Sequence, residues 1–386
     1  MPDPSRGRNA YSHREREVNT AAVPESDVIA ADVVVIGSGP AGIAAATCAA
    51  ERGLRVIIVD RGMQNGGQIW RHVNGARVPR VARSWLDRLD RSGARIVNET
   101  SIVDVTMSAG RFNLIGEWRG HAVRFRASNL VLATGARELF IPFEGWTLQG
   151  VMGIGGAQAL LKSGASLAGR RVIIAGSGPL MLPVAAALAG ARAKIVRVAE
   201  QASTAAVVRF AGGLWRAPGI LAQAARYRAR FLTTPYSTGT WVTAAFGADR
   251  LEHVTLTNGR RVWHERVDLL LTGYGLVPNI EFARLIGCET SNGDIVVDET
   301  QRTTVPKVLA VGEATGIGGA PLALVEGEIA GLTVASGADA PQSLLRRRAA
   351  LQTAARTMSA TFALRPELRS LPTERTIVCR CEDVSY

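Results

Sequence analysis

The stretch Val33-Val34-Val35-Ile36-Gly37-Ser38-Gly39-Pro40-Ala41-Gly42 sets the strongest limit on what this chain can fold into. Four β-branched apolar residues predict a strand buried on both faces, and an alanine-rich stretch after the glycines predicts a helix over Ile43–Arg52. Gly37 permits a tight turn, Gly39 leaves room for a pyrophosphate, and Gly42 lets the helix pack close on the strand, with Ser38, Pro40 and Ala41 completing the loop. Backbone N–H groups at such a helix start point at phosphate oxygens. A second strand, Val56–Val59, ends in Asp60, placed to accept hydrogen bonds from a ribose hydroxyl pair, and Arg61 follows it. Strand, glycine turn, helix, strand and acid in that order predict a dinucleotide-binding fold.

The unit recurs. Val172–Ala189 repeats strand, turn and helix, with Gly176-Ser177-Gly178-Pro179-Leu180-Met181 at the turn. Met181 stands where the third glycine belongs, so a relaxed turn is expected. A strand from Lys194 to Val198 leads to Glu200, which could still hold an adenosine ribose. Three readings stay open for this second site: a working NAD(P) site, a site for another adenine nucleotide at Gly176–Gly178, and a structural relic. Alternating strand and helix patterns between Val33 and Gly331 give an α/β class with parallel sheets.

Three further segments offer small residues where the chain could approach a ligand closely. They are Gly66-Gly67-Gln68-Ile69-Trp70, the strand Leu130–Ala133 ending in Thr134-Gly135-Ala136, and Val308–Val311 ending in Gly312-Glu313. A predicted helix from Pro321 to Gly331 would turn its positive end toward negative charge on a reduced ring system.

With 386 residues, 47% of them hydrophobic and 20% charged, the chain has room for two cores, and no apolar run approaches the roughly 20 residues of a membrane span. Residues 1–30 mix Arg6, Arg8, Arg14 and Arg16 with Asp3, Glu15 and Glu17, which predicts a disordered leader and not a secretory signal. The net charge of +12 rests on scattered arginines with three lysines, so no nucleic acid partner is expected. Four cysteines are too few for a disulfide framework and point to the cytoplasm.

In order, G-S-G-P-A-G, G-G-Q-I-W, A-T-G-A and V-G-E-A-T-G resemble the two-dinucleotide-fold flavoproteins that include thioredoxin reductase. That resemblance implies FAD, held by Gly37, Gly39, Gly42, Asp60, Gly67, Gln68 and Glu313, the last standing where the group usually has Asp. It also implies a discontinuous FAD domain, 31–150 and 268–335, with a second nucleotide-type domain inserted over 151–267. Leu269–Asn279 looks like the return segment.

Disulfide reductases of this kind relay electrons through a close cysteine pair. Here Cys48 and Cys288 each stand alone, and only Cys379-Arg380-Cys381 brings two thiols together. By spacing alone these are either exposed thiols or two ligands of one iron, short of the four a [2Fe–2S] centre needs. The ending Thr376–Val384, with Gly66–Arg71, Gly176–Pro183 and Gly312–Gly319, resembles the FAD-binding subunit of opine oxidases, hydrogen cyanide synthase and hydroxyproline or proline dehydrogenases. In that family C-R-C opens a [2Fe–2S] domain, so 336–386 would be a C-terminal extension holding its start, with either the reading frame truncated or the sequence trimmed. The resemblance implies a heteromeric dehydrogenase acting on a carbon–nitrogen bond, with a second flavoprotein and a small ferredoxin-like protein as partner subunits. Two rivals are a stand-alone NAD(P)H-dependent flavin reductase of a small electron carrier and a non-catalytic FAD-bound assembly subunit. No catalytic residue is assigned.

Overall fold

The computed structural model describes residues 28–70, 79–213, 218–337, 339–379, 381–382 and 384–386. Its first domain opens with β1 (Val28–Ile36), α1 (Pro40–Ala50), β2 (Val56–Val59), α2 (Arg80–Ser92), β3 (Arg95–Val97) and the antiparallel strands β4 (Thr100–Ser108), β5 (Arg111–Trp118) and β6 (His121–Leu132). β1 starts at Val28, inside the segment expected to be leader; the rest of that segment lies outside the described residues. α1 starts at Pro40, three residues before the expected Ile43, because proline suits the first helical position. α2 buries Ala82, Trp85 and Leu89 on one face and stops at Gly93, whose φ of +80° is left-handed.

β1 pairs in parallel with β2 and β6, and β2 with β3. The twelve-residue β6 splits its other edge: its first part pairs antiparallel with β5, and Leu130–Leu132 pair in parallel with β19 (Val308–Ala310) from much later in the chain. One face of this sheet packs Val33, Val35 and Ile58 under the helices; the other packs Val34, Ile57, Leu130 and Phe125.

The chain crosses at β7 (Ala136–Glu138), builds the second domain from β8 (Val151–Gly153), α3 (Ile154–Lys162), β9 (Arg171–Gly176), α4 (Met181–Gly190), β10 (Lys194–Glu200), α5 (Thr204–Gly213), α6 (Pro218–Ala229), β11 (Tyr236–Thr238), the meander β12 (Trp241–Phe246), β13 (His253–Thr257), β14 (Val262–Arg266) and β15 (Leu269–Gly273), and crosses back at β16 (Leu276–Pro278). Its parallel sheet has the order β11-β10-β9-β15-β8. The expected boundary at 267 is corrected here: β15 hydrogen-bonds between β9 and β8, so the second domain extends through Gly273. The crossing between domains is the antiparallel ribbon of β7 with β16.

Back in the first domain, α7 (Glu281–Leu285), the hairpin β17 (Thr290–Ser291) and β18 (Asp294–Ile295), and β19 lead to a 3-10 turn at Gly312–Thr315 and α8 (Gly319–Ser336). α8 lies on α1 because Gly327 and Gly331 carry no side chain; a Cβ there would sit 2.2 Å from Ala41 O and 2.4 Å from Ala45 O. The C-terminal extension then forms α9 (Gln342–Thr361), α10 (Pro366–Arg369) and the hairpin β20 (Ile377–Cys379) with β21 (Val384–Ser385). Arg348 of α9 reaches the nearly buried Glu326 of α8, which anchors the extension on the first domain.

Candidate functional site

Sterics fix the first glycine turn. A Cβ on Gly37 would lie 2.2 Å from Ala133 O, against the end of β6, and one on Gly42 would lie 1.9 Å from Gly37 O and push α1 off the turn. Gly37 also has a φ of +108°, where a side chain is strained. Gly39 is different: nothing lies within 4 Å of an added Cβ, and the open space sits at the N-terminus of α1. Asp60, at the end of β2, accepts from Ser38 N and Gly62 N, and each carboxylate oxygen keeps capacity for a further donor. The Gly66–Gln68 loop closes on this turn through Gly66 N donating to Ser38 O at 2.8 Å, and Gly67 approaches the Gly39 backbone. Gln68 and Arg61 are exposed beside it.

The late segment meets the same turn from the other side. Gly312, at φ +73°, presses on Ala41 of α1 and donates its N–H to Glu326 at 2.9 Å. Glu313 accepts from Gly319 N at 2.7 Å through one oxygen, at the positive end of α8. Its other oxygen, Oε2, is buried and accepts from no described residue, as is the Ser38 hydroxyl. Two buried polar atoms without partners beside an open cradle call for a ligand with hydroxyl and phosphate groups. An FAD-type dinucleotide fits this donor and acceptor set. Burial raises the Glu313 pKa, opposed by the backbone N–H groups of Gly319 and Gly318.

Thr134 and Gly135 lie at the domain crossing, tied to Asn279. The Thr134 hydroxyl donates to Asn279 O at 2.6 Å, Asn279 Nδ2 donates to Thr134 O, and Asn279 N donates to Gly135 O. All the predicted residues from Gly37 to Gln68, with Gly312 and Glu313, therefore gather at one turn, and Thr134 and Gly135 continue from Ala133 behind it. Sequence reasoning missed Asn279 and Glu326. Two acids, Glu326 and Glu328, among the apolar residues of the predicted Pro321–Gly331 helix were the available signal for Glu326. Its pKa is raised to about 7 by burial, against the pull of Arg348 and of its hydrogen bonds to Gly312 N and Thr315 Oγ1.

The second turn is relaxed, as the missing glycine predicts. α4 begins only at Met181, past Pro179 and Leu180, and the left-handed residue is Gly178 at φ +91°, not Gly176. Met181 is fully buried in the core, so the helix sets back by the room its side chain needs. Glu200 has no exposed surface and accepts from Gly178 N at 2.8 Å and Ala202 N at 2.7 Å. Desolvation raises its pKa to about 7 despite those bonds. Over this turn lie Phe362–Arg365 of the extension.

The cysteines are dispersed. Cys48 is buried in α1 and Cys288 in the opposite core of the first domain, while Cys379 Sγ and Cys381 Sγ lie 3.1 Å apart in the terminal hairpin. Among the described residues no group of three or more metal-binding side chains gathers around that pair or elsewhere, and Arg380 between them lies outside the described residues.

The family model described as pyridine nucleotide-disulphide oxidoreductase matches residues 31–338. An opine oxidase subunit from Rhizobium meliloti (strain 1021) is 30% identical, over 92% of this chain and 82% of that protein. Thioredoxin reductase of T. acidophilum superposes with a TM-score of 0.65 at 22% identity, covering 80% of this chain and 98% of that one. L-proline dehydrogenase from P. horikoshii gives a TM-score of 0.64 at 21% identity, covering 93% of this chain and 65% of that one. The structural likenesses agree with two Rossmann-like domains in one chain.

Proposed function

The chain belongs to the pyridine nucleotide-disulphide oxidoreductase family, and we propose that it is the FAD-binding subunit of a heteromeric dehydrogenase or oxidase that acts on a carbon–nitrogen bond of an amino acid, imino acid or opine. The observation that carries this reading is an FAD-type cradle with no dithiol beside it among the described residues. Cys48 and Cys288 sit in separate cores, and burial pushes both thiols up, Cys48 to about 11. Disulfide exchange needs a thiolate with a thiol partner in reach, so neither residue serves as a relay. Likeness to an opine oxidase subunit over nearly the whole chain supports the substrate class.

FAD, when bound, supplies the acceptor for the hydride that leaves the carbon bearing nitrogen. The chain's own share is placement. Gly37, Ser38, Gly39, Pro40, Ala41 and Gly42 would hold the pyrophosphate, and Asp60 with Arg61 the adenosine end. Gly67, Gln68, Thr134, Gly135, Gly312 and Glu313 would hold the ribityl and ring end. Cys379 and Cys381 would give two ligands of a [2Fe–2S] centre whose other two come from beyond this sequence or from a partner. The subunit would work in the cytoplasm beside a second flavoprotein; no helix among the described residues is long and apolar enough to cross a membrane.

Co-expression with a flavoprotein encoded beside it, followed by anaerobic addition of proline, hydroxyproline and opines, tests this reading. Flavin bands that bleach with one of these and only in the complex are expected. Bleaching of the isolated chain by NADH would overturn it in favour of a stand-alone reductase. A flavin-loaded complex that none of them reduces would make the chain an assembly subunit.

A further inference from the structure

The second glycine turn carries a ligand made of the chain itself. α9 ends at Thr361 with Phe362 as its C-cap, and the carbonyls at a helix end have no partner inside it. Ser177 Oγ donates to Phe362 O at 2.8 Å, and Gln201 Nε2 donates to Ala363 O at 3.0 Å and to Phe362 O at 3.4 Å. Gln201 Oε1 in turn accepts from Arg365 N at 3.1 Å. The Phe362 ring lies 3.6 Å from where a Cβ of Gly178 would be and meets Phe210 edge to face. Arg365 stacks 3.9 Å above the ring of Trp241, and Leu364, Leu368 and Leu371 pack with Trp241, Tyr274 and Ile141.

Ser177 and Gln201 flank the turn and the strand-end acid, where a dinucleotide would lay its phosphates and ribose. Both donate, and phosphate oxygens and helix-end carbonyls are alike as acceptors. The end of α9 also brings the negative pole of its dipole to this spot, which disfavours an anion. Glu200 has no exposed surface, so a ribose outside the turn cannot reach its oxygens.

We infer that Phe362–Arg365 occupy the nucleotide site of the second domain as an internal peptide ligand, so that the full chain takes neither ADP nor a nicotinamide dinucleotide there. The segment closes the site and fastens the extension across both domains, with α9 on the first and Phe362–Leu371 on the second. Trp146 Nε1 donates to Ile377 O just beyond, next to the terminal hairpin. This inference is independent of which carbon–nitrogen compound is oxidised.

The test uses the full chain loaded with FAD, so that the first site is filled. Amide exchange at Arg365 is followed by mass spectrometry, and ADP and NADH are offered in equilibrium dialysis at about 1 mM, a concentration that reveals even weak sites. Expected are slow exchange at Arg365 and no retention of either nucleotide. Gln201→Ala, which removes three hydrogen bonds to the segment, should speed that exchange by about tenfold or more. Phe362→Ala, which leaves every residue of the turn in place, should also speed it. Retention of ADP or NADH by the parent chain, or unaltered exchange at Arg365 in either variant, overturns the inference. A chain that takes up no FAD contradicts the proposed function instead, and the exchange measurement, which needs no flavin, still decides this one.

Discussion

The two dinucleotide folds of this chain share a strand, a G-S-G turn and an acid at the end of the next strand, yet they hold different things. In the first, Gly42 lets α1 begin at Pro40 against the turn, and open space remains over Gly39. In the second, Met181 pushes the start of α4 away, and the chain's own Phe362–Arg365 fill the space over the turn. The acids diverge in the same sense. Each acid accepts one backbone N–H on each oxygen, but Asp60 is half-buried and open to a further donor from a ligand, whereas Glu200 is sealed from solvent. The residue at the helix start and the segment lying over the turn both differ between the two units, which teaches that a glycine pattern reports a backbone path and not a ligand.

The largest effect should come from making the first turn like the second. Gly42→Met places a Cβ 1.9 Å from Gly37 O and forces α1 back, so FAD affinity should fall by about 100-fold or more, read by flavin absorbance after gel filtration. Glu313→Ala removes the unpartnered acceptor at the other side of that cradle and should weaken FAD by about tenfold in a fluorescence titration; an unchanged affinity would remove Glu313 from the site.

The buried acid of the second unit predicts a pH effect. Glu200 has a folded pKa of about 7 against an ordinary 4.5, so between those values the folded chain holds a proton that the unfolded chain has lost. Stability should therefore fall as pH rises from about 4.5 to about 7, and Glu326 adds a contribution of the same sign. The Glu200 part is about 1–3 kcal/mol, and urea melts of Glu200→Gln should show a flatter slope over that window. The smallest effect belongs to Ser177→Ala, which loses the bond to Phe362 O and should cost about 1 kcal/mol of stability with no change in FAD affinity. A loss of FAD in that variant would mean that the two sites are coupled.

Much of this was legible in the sequence because it depends on local chain path. Gly37, Gly39, Gly42 and Asp60 declare themselves by spacing, and the relaxed second turn follows from Met181 alone. Other features depend on partners distant in sequence. β15 reads as the return to the first domain, but its pairing between β9 and β8 assigns it to the second sheet. The α8 seat on α1 needs Gly327 and Gly331 to meet Ala41 and Ala45, and no local pattern announces that meeting. Nor does the sequence of Phe362–Arg365 carry any mark of the turn it covers, since it binds largely through backbone carbonyls that every residue possesses.

The contrast between the two folds is tested most directly by the nucleotide content of the freshly purified full chain. Heat denaturation followed by chromatography of the released small molecules would count FAD and every other adenine nucleotide per chain. The account predicts FAD at one per chain, with no second adenine nucleotide. A second nucleotide released in equal amount, or a chain that carries no FAD and takes none up, would contradict it.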